Sequence, residues 1–283
     1  SGFFLACAEQ FRYWKNKLQE NPIVKVRQSA PRPVRIIYYS FVICFWFQIQ
    51  RRSICPKIIA QILPDVQRGS RMVIMKALVE KLIKEGVLKT SQIIEAFLAN
   101  DRKYFIPAGL HSEAYVDAPL PIGRGQTISQ PYTVAFMMEL LDPRPGEKIL
   151  DVGFGSGWTT AILSKIAGRA GRVYGLEIVH EIFKLGKRNL AQFAYSNIEL
   201  YNQSGWEGWP QDAPFDRILV SAGAAQVPKA LLDQLALAGK MVIPVGGNAA
   251  FYGQSIKLIK KIDQEKFEEE NYSGFAFVPL VKK

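Results

Sequence analysis

The sequence predicts an α/β protein: a doubly wound, mostly parallel sheet with an antiparallel C-terminal edge and an N-terminal helical segment. Three observations predict it. Short apolar runs alternate with amphipathic runs of helical period from residue 132 onward, the mark of strands joined by helical crossovers. A glycine-rich turn joins the first of those strands to its helix. The tail then changes to two-strand patterning over 255–263 and 272–281, as an antiparallel edge requires.

Taken in order, Leu78, Val79, Leu82, Ile83 and Val87 keep helical spacing, and Gly86 marks the end of that helix. Ser91 is placed to cap a second helix that buries Ile93, Ile94, Phe97 and Leu98. Residues 104–131 carry Pro107, Pro119 and Pro121 with Gly109, Gly123 and Gly125, and read as an ordered but irregular connection. The alternation follows: helix 132–141, strand 148–153, helix 157–167, strand 172–177, helix 180–193 and strands 197–201 and 215–221. Helix 228–236 and strand 240–245 complete it. Each helical piece is long enough to cross back over a sheet and start a parallel strand.

The 283 residues are 48% apolar and 22% charged, which excludes a disordered or collagen-like chain. Three cysteines exclude a disulfide-stapled scaffold, and two histidines, His111 and His180, are too few for a histidine-based metal site. The net charge of +11 suggests an anionic partner until it is divided along the chain. Residues 1–71 hold 12 Lys/Arg against 3 Asp/Glu, whereas 72–283 hold 24 against 22. The chain therefore reads as a basic, aromatic-rich extension, 1–71, without a function of its own, joined to a domain over 72–283 that begins at Met72 or Met75. Within the extension, the apolar run 36–47 is 12 residues, short of the ~20 that span a bilayer. Its basic flanks and aromatics confine any membrane contact to 36–52, and the expected location is the cytoplasm. The near-neutral domain predicts no nucleic-acid partner.

The segment Ile149-Leu150-Asp151-Val152-Gly153-Phe154-Gly155-Ser156-Gly157 runs from an apolar strand into a glycine turn and a helix. Glycines let the backbone turn tightly and approach a ligand, and the helix start offers unpaired N–H groups. Glu177 ends the next strand 20 residues after Gly157, where a carboxylate reaches ribose hydroxyls. The pattern is G-x-G-x-G and lacks the third glycine of a dinucleotide fingerprint; no Lys-Ser/Thr pair follows, so it is no P-loop. With Asp151 just before it, the loop fits S-adenosylmethionine, whose amino-acid end carries an ammonium and no phosphate. Asp151, Gly153, Gly155, Gly157 and Glu177 are the candidate cofactor residues.

Asp117-Ala118-Pro119-Leu120-Pro121-Ile122-Gly123 followed by Gly125-Gln126-Thr127-Ile128-Ser129-Gln130-Pro131 resembles the active-site signature of the protein-L-isoaspartate O-methyltransferase family. Further matches are Asp101-Arg102 with Phe105-Ile106-Pro107, Gly208-Trp209-Pro210, Ala213-Pro214-Phe215-Asp216, Val242-Ile243-Pro244-Val245-Gly246 and Phe277-Val278-Pro279-Leu280. The resemblance runs from about Met75 to Leu280. It implies a Rossmann-like methyltransferase fold and transfer of a methyl group from S-adenosylmethionine to the α-carboxylate of isoaspartyl residues. S-adenosyl-L-homocysteine is the product and no metal takes part. The ester then collapses to a succinimide, part of which opens to normal aspartate. A monomer acting on isoaspartyl proteins and peptides is expected. A carboxylate is already ionised at neutral pH, so no general base is needed, and positioning remains as the task of the site.

The resemblance assigns Ser129 to the place beside the reacting carboxylate; the other reading makes it the N-cap of helix 132–141. Asp117, Thr127, Ile128, Gln130 and Val278 fall at substrate positions, with a plain loop carboxylate as the alternative for Asp117 and a loop-shaping role for Thr127 and Gln130. Three positions depart from the family pattern. Gln203-Ser204-Gly205 replaces a Gly-Asp-Gly whose aspartate faces the adenine, leaving Ser204 and Gly205 as cofactor candidates without the charge. Trp158-Thr159 replaces Tyr-Gln, and Ala276 stands where an arginine is common. Two rival readings are another acceptor, RNA or a small molecule, and a non-catalytic adaptor that binds the cofactor.

Overall fold

The computed structural model of the chain describes residues 75–246 and 253–282. The basic segment 1–71 and its apolar run 36–47 lie outside the described residues. Among the described residues, no helix is long and apolar enough to cross a membrane.

Helix α1 is described over 75–84 and buries Met75, Leu78, Val79 and Leu82, while Ile83 is exposed. Its end is closed by Val87 and Leu88 N–H groups, both donating to Leu82 C=O across Gly86, whose φ is +72°. Helix α2 (Ser91–Ala99) starts one residue earlier than its expected cap: Thr90 occupies the N-cap and Ser91 the first helical position. The Thr90 hydroxyl and N–H are both taken by the Glu139 carboxylate, at 2.7 and 2.8 Å, which ties α2 to a later helix. Ile93 and Phe97 are buried as expected, but Leu98 is exposed, so the apolar face is narrower than the run suggests.

The proline-rich connection contains two 3-10 turns, Arg102–Phe105 and Ala108–Glu113, and a hairpin of β1 (Leu120–Gly123) and β2 (Gln126–Ile128). Positive φ at Gly123, Arg124 and Gly125 makes its turn. Helix α3 (Pro131–Leu141), β3 (Lys148–Val152), α4 (Trp158–Ala167), β4 (Arg172–Leu176), α5 (His180–Leu190), β5 (Ile198–Tyr201) and β6 (Phe215–Val220) follow the expected order. Helix α6 (Lys229–Asp233) is shorter than expected, because β7 (Leu235–Val245) begins before the run 240–245 and bends at Ala238, whose φ is +60°.

Seven strands pair in the order β5-β4-β3-β6-β7-β8-β9, parallel through β7 and antiparallel for β8 (Gln254–Lys261) and β9 (Phe267–Phe275). Side chains alternate between two cores: Ile149, Leu219 and Val242 face α2, α3 and α4, whereas Leu150, Ile218 and Met241 face the other side. The last strand differs from the expected 272–281. It starts earlier, where Glu269 and Glu270 pair with Lys257 at 2.6 Å and Lys260 at 2.7 Å on β8. It stops at Phe275, just past Gly274 at φ +97°, and the remainder crosses to lie beside Gly223.

Candidate active site

Strand order reverses between β3 and β6, and a cleft opens beyond the carboxyl ends of β3, β4 and β6, where ligands bind in such sheets. It is a cleft open to solvent on one side. Gly153, Gly155, Glu177 and Gly205 line one part of it; Thr127, Ile128, Ser129 and Val278 line another.

The glycine loop is held from below. Gly153 and Phe154 N–H groups donate to Leu176 C=O at 2.8 and 3.2 Å, fixing the loop to the end of β4. Gly157 is the N-cap of α4 with φ +94°, and a Cβ there would stand 2.8 Å from Leu190 Cγ, so only glycine lets the loop close on α5. It supports the loop rather than lining the cleft. Asp151 is likewise not a lining residue. It is fully buried under the loop, where Thr159 and Thr160 hydroxyls donate to its Oδ2 at 2.8 and 2.7 Å. Burial pushes its carboxyl up to about 6, against the pull of those two hydroxyls and with a further push from the Glu177 charge. Its part is to fasten the start of α4.

Glu177 does face the cleft, with only 6% of its surface exposed. Gly155 N–H reaches its Oε2 at 3.1 Å and Val179 N–H its Oε1 at 2.9 Å. Burial raises its pKa, and these N–H donors oppose the rise. Each carboxylate oxygen keeps a further lone pair, so two hydroxyls of a ribose can be received together. Gly205 lies where a Cβ would overlap the Val152 side chain, and both residues line the cleft floor. Ser204 beside it does not line the cleft: its hydroxyl donates to Val281 C=O at 3.1 Å. That bond holds the C-terminal segment, whose Val278 and Leu280 anchor on Gly223 through two 2.8 Å main-chain bonds.

On the opposite side, Ser129 sits between β2 and α3. The N-cap of α3 is Gln130, without a side-chain capping bond, so Ser129 is not the cap. Its hydroxyl makes no hydrogen bond among the described residues and is available to a ligand. Gln130, at the N-cap, does not line the cleft. Asp117 does the capping instead: its Oδ1 accepts Tyr132 N–H at 2.9 Å, and its Oδ2 accepts Lys81 Nζ at 2.8 Å. It shapes the acceptor side from outside the cleft. Trp158 and Thr159, noted in the sequence only as departures, line the cleft, as do Ser156, Ile178, Ser221 and Ala222, which were not proposed as site residues. The position of Ser221 and Ala222 directly after β6 is the signal that would have found them.

A seven-stranded sheet of this order, a glycine loop without a phosphate-binding lysine and an acid closing β4 define a Rossmann-like S-adenosylmethionine-dependent methyltransferase. Comparison with known proteins narrows the class. Residues 73–283 match the family model described as Protein-L-isoaspartate(D-aspartate) O-methyltransferase (PCMT). The Protein-L-isoaspartate O-methyltransferase of Methanopyrus kandleri is 44% identical over 205 residues, 72% of this chain and 89% of that protein. The protein of the same name from Pyrococcus horikoshii is 40% identical over 206 residues, covering 73% and 92%. A crystal structure assigned as a protein-L-isoaspartate O-methyltransferase from Plasmodium falciparum, in complex with S-adenosyl-L-homocysteine, superposes with a TM-score of 0.65 at 26% identity. It covers 74% of this chain and 98% of that one. The chain belongs to the protein-L-isoaspartate(D-aspartate) O-methyltransferase family, whose members are S-adenosylmethionine-dependent carboxyl methyltransferases.

Proposed function

We propose that the chain methylates the α-carboxylate of isoaspartyl residues in damaged proteins and peptides, using S-adenosylmethionine. The observation that carries this reading is the meeting, in one cleft, of the Thr127-Ile128-Ser129 block with the Gly153–Gly155 loop and Glu177. When bound, S-adenosylmethionine supplies an electrophilic sulfonium methyl group. Glu177 would receive the ribose hydroxyls, and Gly153, Gly155 and Gly205 would let the backbone approach the ligand closely. The acceptor carboxylate is ionised at neutral pH, so the chain has no proton to remove. Its work is orientation. Ser129 donates its free hydroxyl proton to one acceptor oxygen and so aims the other, while Ile128 and Val278 exclude water beside it.

The same reading makes the protein a cytoplasmic monomer whose partners are isoaspartyl polypeptides. The near-balanced charge of 72–283, 24 basic against 22 acidic residues, supports a protein acceptor over RNA. It treats 1–71 as a segment apart, with membrane contact confined to 36–52. The test is label transfer from S-adenosylmethionine to an isoaspartyl peptide and to its normal aspartyl counterpart. Methylation of the first alone is expected; equal transfer to both, or none to either, overturns the reading.

A further inference from the structure

Arg102 lies in the 3-10 turn after α2, outside the cleft, and is fully buried. Among the described residues no carboxylate comes within ion-pair distance of it. Its two terminal nitrogens are instead spent on main-chain oxygens, while the buried Nε has no hydrogen-bond partner among the described residues. Nη1 donates to Ala114 C=O at 3.0 Å and Val116 C=O at 3.2 Å; Nη2 donates to Ala118 C=O at 2.8 Å and Ser129 C=O at 3.1 Å. The guanidinium carbon stands 5.5 Å from the ring centroid of Trp158, the first residue of α4 and a lining residue of the cleft. Trp158 is itself fixed, its Nε1 donating to Asn100 C=O at 2.9 Å.

A buried cation with no direct counter-charge is costly, and an apolar side chain would fill the space at less expense. What an apolar side chain cannot supply is a rigid planar fork that grips two separate stretches of backbone at once. One stretch is the loop leading into β1; the other is the residue that carries the acceptor-side hydroxyl. Burial lowers the guanidinium pKa to about 10 and the Asp117 charge opposes this, so the fork stays charged at neutral pH.

We propose that Arg102 is the positioning residue for the acceptor: it sets the separation between Ser129 and the cofactor loop by clamping the Ser129 carbonyl and the 114–118 backbone against Trp158. This rests on the acceptor reading given above. Arg102 touches no reacting atom and acts through Ser129. Its loss should leave cofactor binding in place and spoil the approach of the carboxylate, a displacement that can cost ~10- to 100-fold in rate.

The experiment uses the full chain with Arg102→Met, which keeps length and removes the fork, and Arg102→Lys, which keeps the charge but offers a single point. S-adenosylhomocysteine sites are counted by calorimetry, and methylation of an isoaspartyl peptide is expressed per site. Expected are an S-adenosylhomocysteine Kd within ~3-fold of wild type, and a peptide kcat/KM lowered ~10- to 100-fold through both kcat and KM. No rescue by lysine is expected. A merely structural role would lower the number of sites and leave activity per site unchanged, which overturns the proposal, as does full activity of either variant. Hydrogen exchange of the amides of 115–118 and 129–130, with S-adenosylhomocysteine bound, is read in parallel. Faster exchange there in the variants, with β3 and α4 unchanged, is expected; unchanged exchange overturns the clamp. Should neither variant bind S-adenosylhomocysteine, the proposal is overturned, since loss of the clamp is expected to leave cofactor binding in place. If wild type fails to prefer isoaspartyl peptides, the acceptor reading falls, while the clamp is still judged by exchange.

Discussion

Ser129 offers its hydroxyl to the cleft while its carbonyl is held by Arg102, so side chain and main chain have separate duties. A hydrogen bond to a charged partner contributes ~1.5–3 kcal/mol. Ser129→Ala should therefore lower kcat for an isoaspartyl peptide by ~10- to 100-fold. Cofactor affinity should stay within a few-fold, which calorimetry with S-adenosylmethionine would check. Asp151 gives a prediction of another kind. Its carboxyl moves from an ordinary 3.8 to about 6 on burial, so it holds a proton more tightly folded than unfolded. Through that window, from about pH 4 to about pH 6, the folded state carries the extra proton and stability falls as pH rises; above it the penalty is constant. Asp151→Asn removes this slope and keeps an acceptor for Thr159 and Thr160. Urea midpoints measured across this pH range should converge at the acid end. They should diverge in favour of the variant by at most about 3 kcal/mol toward neutrality.

Elements whose order follows from local pattern were legible: β3, β4 and β6 read as apolar runs, and the glycine loop marked where β3 ends. The hairpin of β1 and β2 was not, because Pro119 and Pro121 argue against a strand; it exists because β1 pairs with β2 alone and needs no N–H at Pro121 on its other side. The acidic start of β9 hid for a related reason. Glu268 to Glu270 disfavour a strand until Lys257 and Lys260 on β8 answer them. In the site, residues that line the cleft were legible in the sequence more readily than those that support it. Asp117 was legible as a substrate-side or loop carboxylate; its capping of α3 was not, because its partners Lys81 and Tyr132 are not its sequence neighbours. Gly205→Ala tests the packing of the cleft floor. The added Cβ overlaps Val152, so a loss of ~1–3 kcal/mol in stability is expected from denaturant unfolding, with weaker S-adenosylhomocysteine binding. Ser204→Ala releases the Val281 carbonyl and frees the C-terminal segment beside the cleft. An S-adenosylhomocysteine dissociation rate raised ~2- to 10-fold, followed by stopped flow, is the expected result.

For the whole molecule, the divided charge and the division of sequence similarity coincide: the family match begins at residue 73, just after the last of the 12 basic residues of 1–71. A chain starting at Met72 should methylate an isoaspartyl peptide at the full rate per S-adenosylhomocysteine site; a kcat/KM reduced more than ~3-fold would give the first segment a part in the reaction. The sheet joins the two sides of the cleft only indirectly, since Ser129 follows a hairpin whose strands are not among its seven. On the proposed reading, acceptor side and cofactor side are joined by contacts such as those of Arg102. All four of its acceptors are carbonyl oxygens, which every amino acid carries. Substitutions at 114, 116, 118 or 129 leave those oxygens in place, so no compensating change at 102 is called for. Residue-pair covariation across related chains would therefore show no link between 102 and the segments it holds, and the proposed clamp would be silent in inheritance.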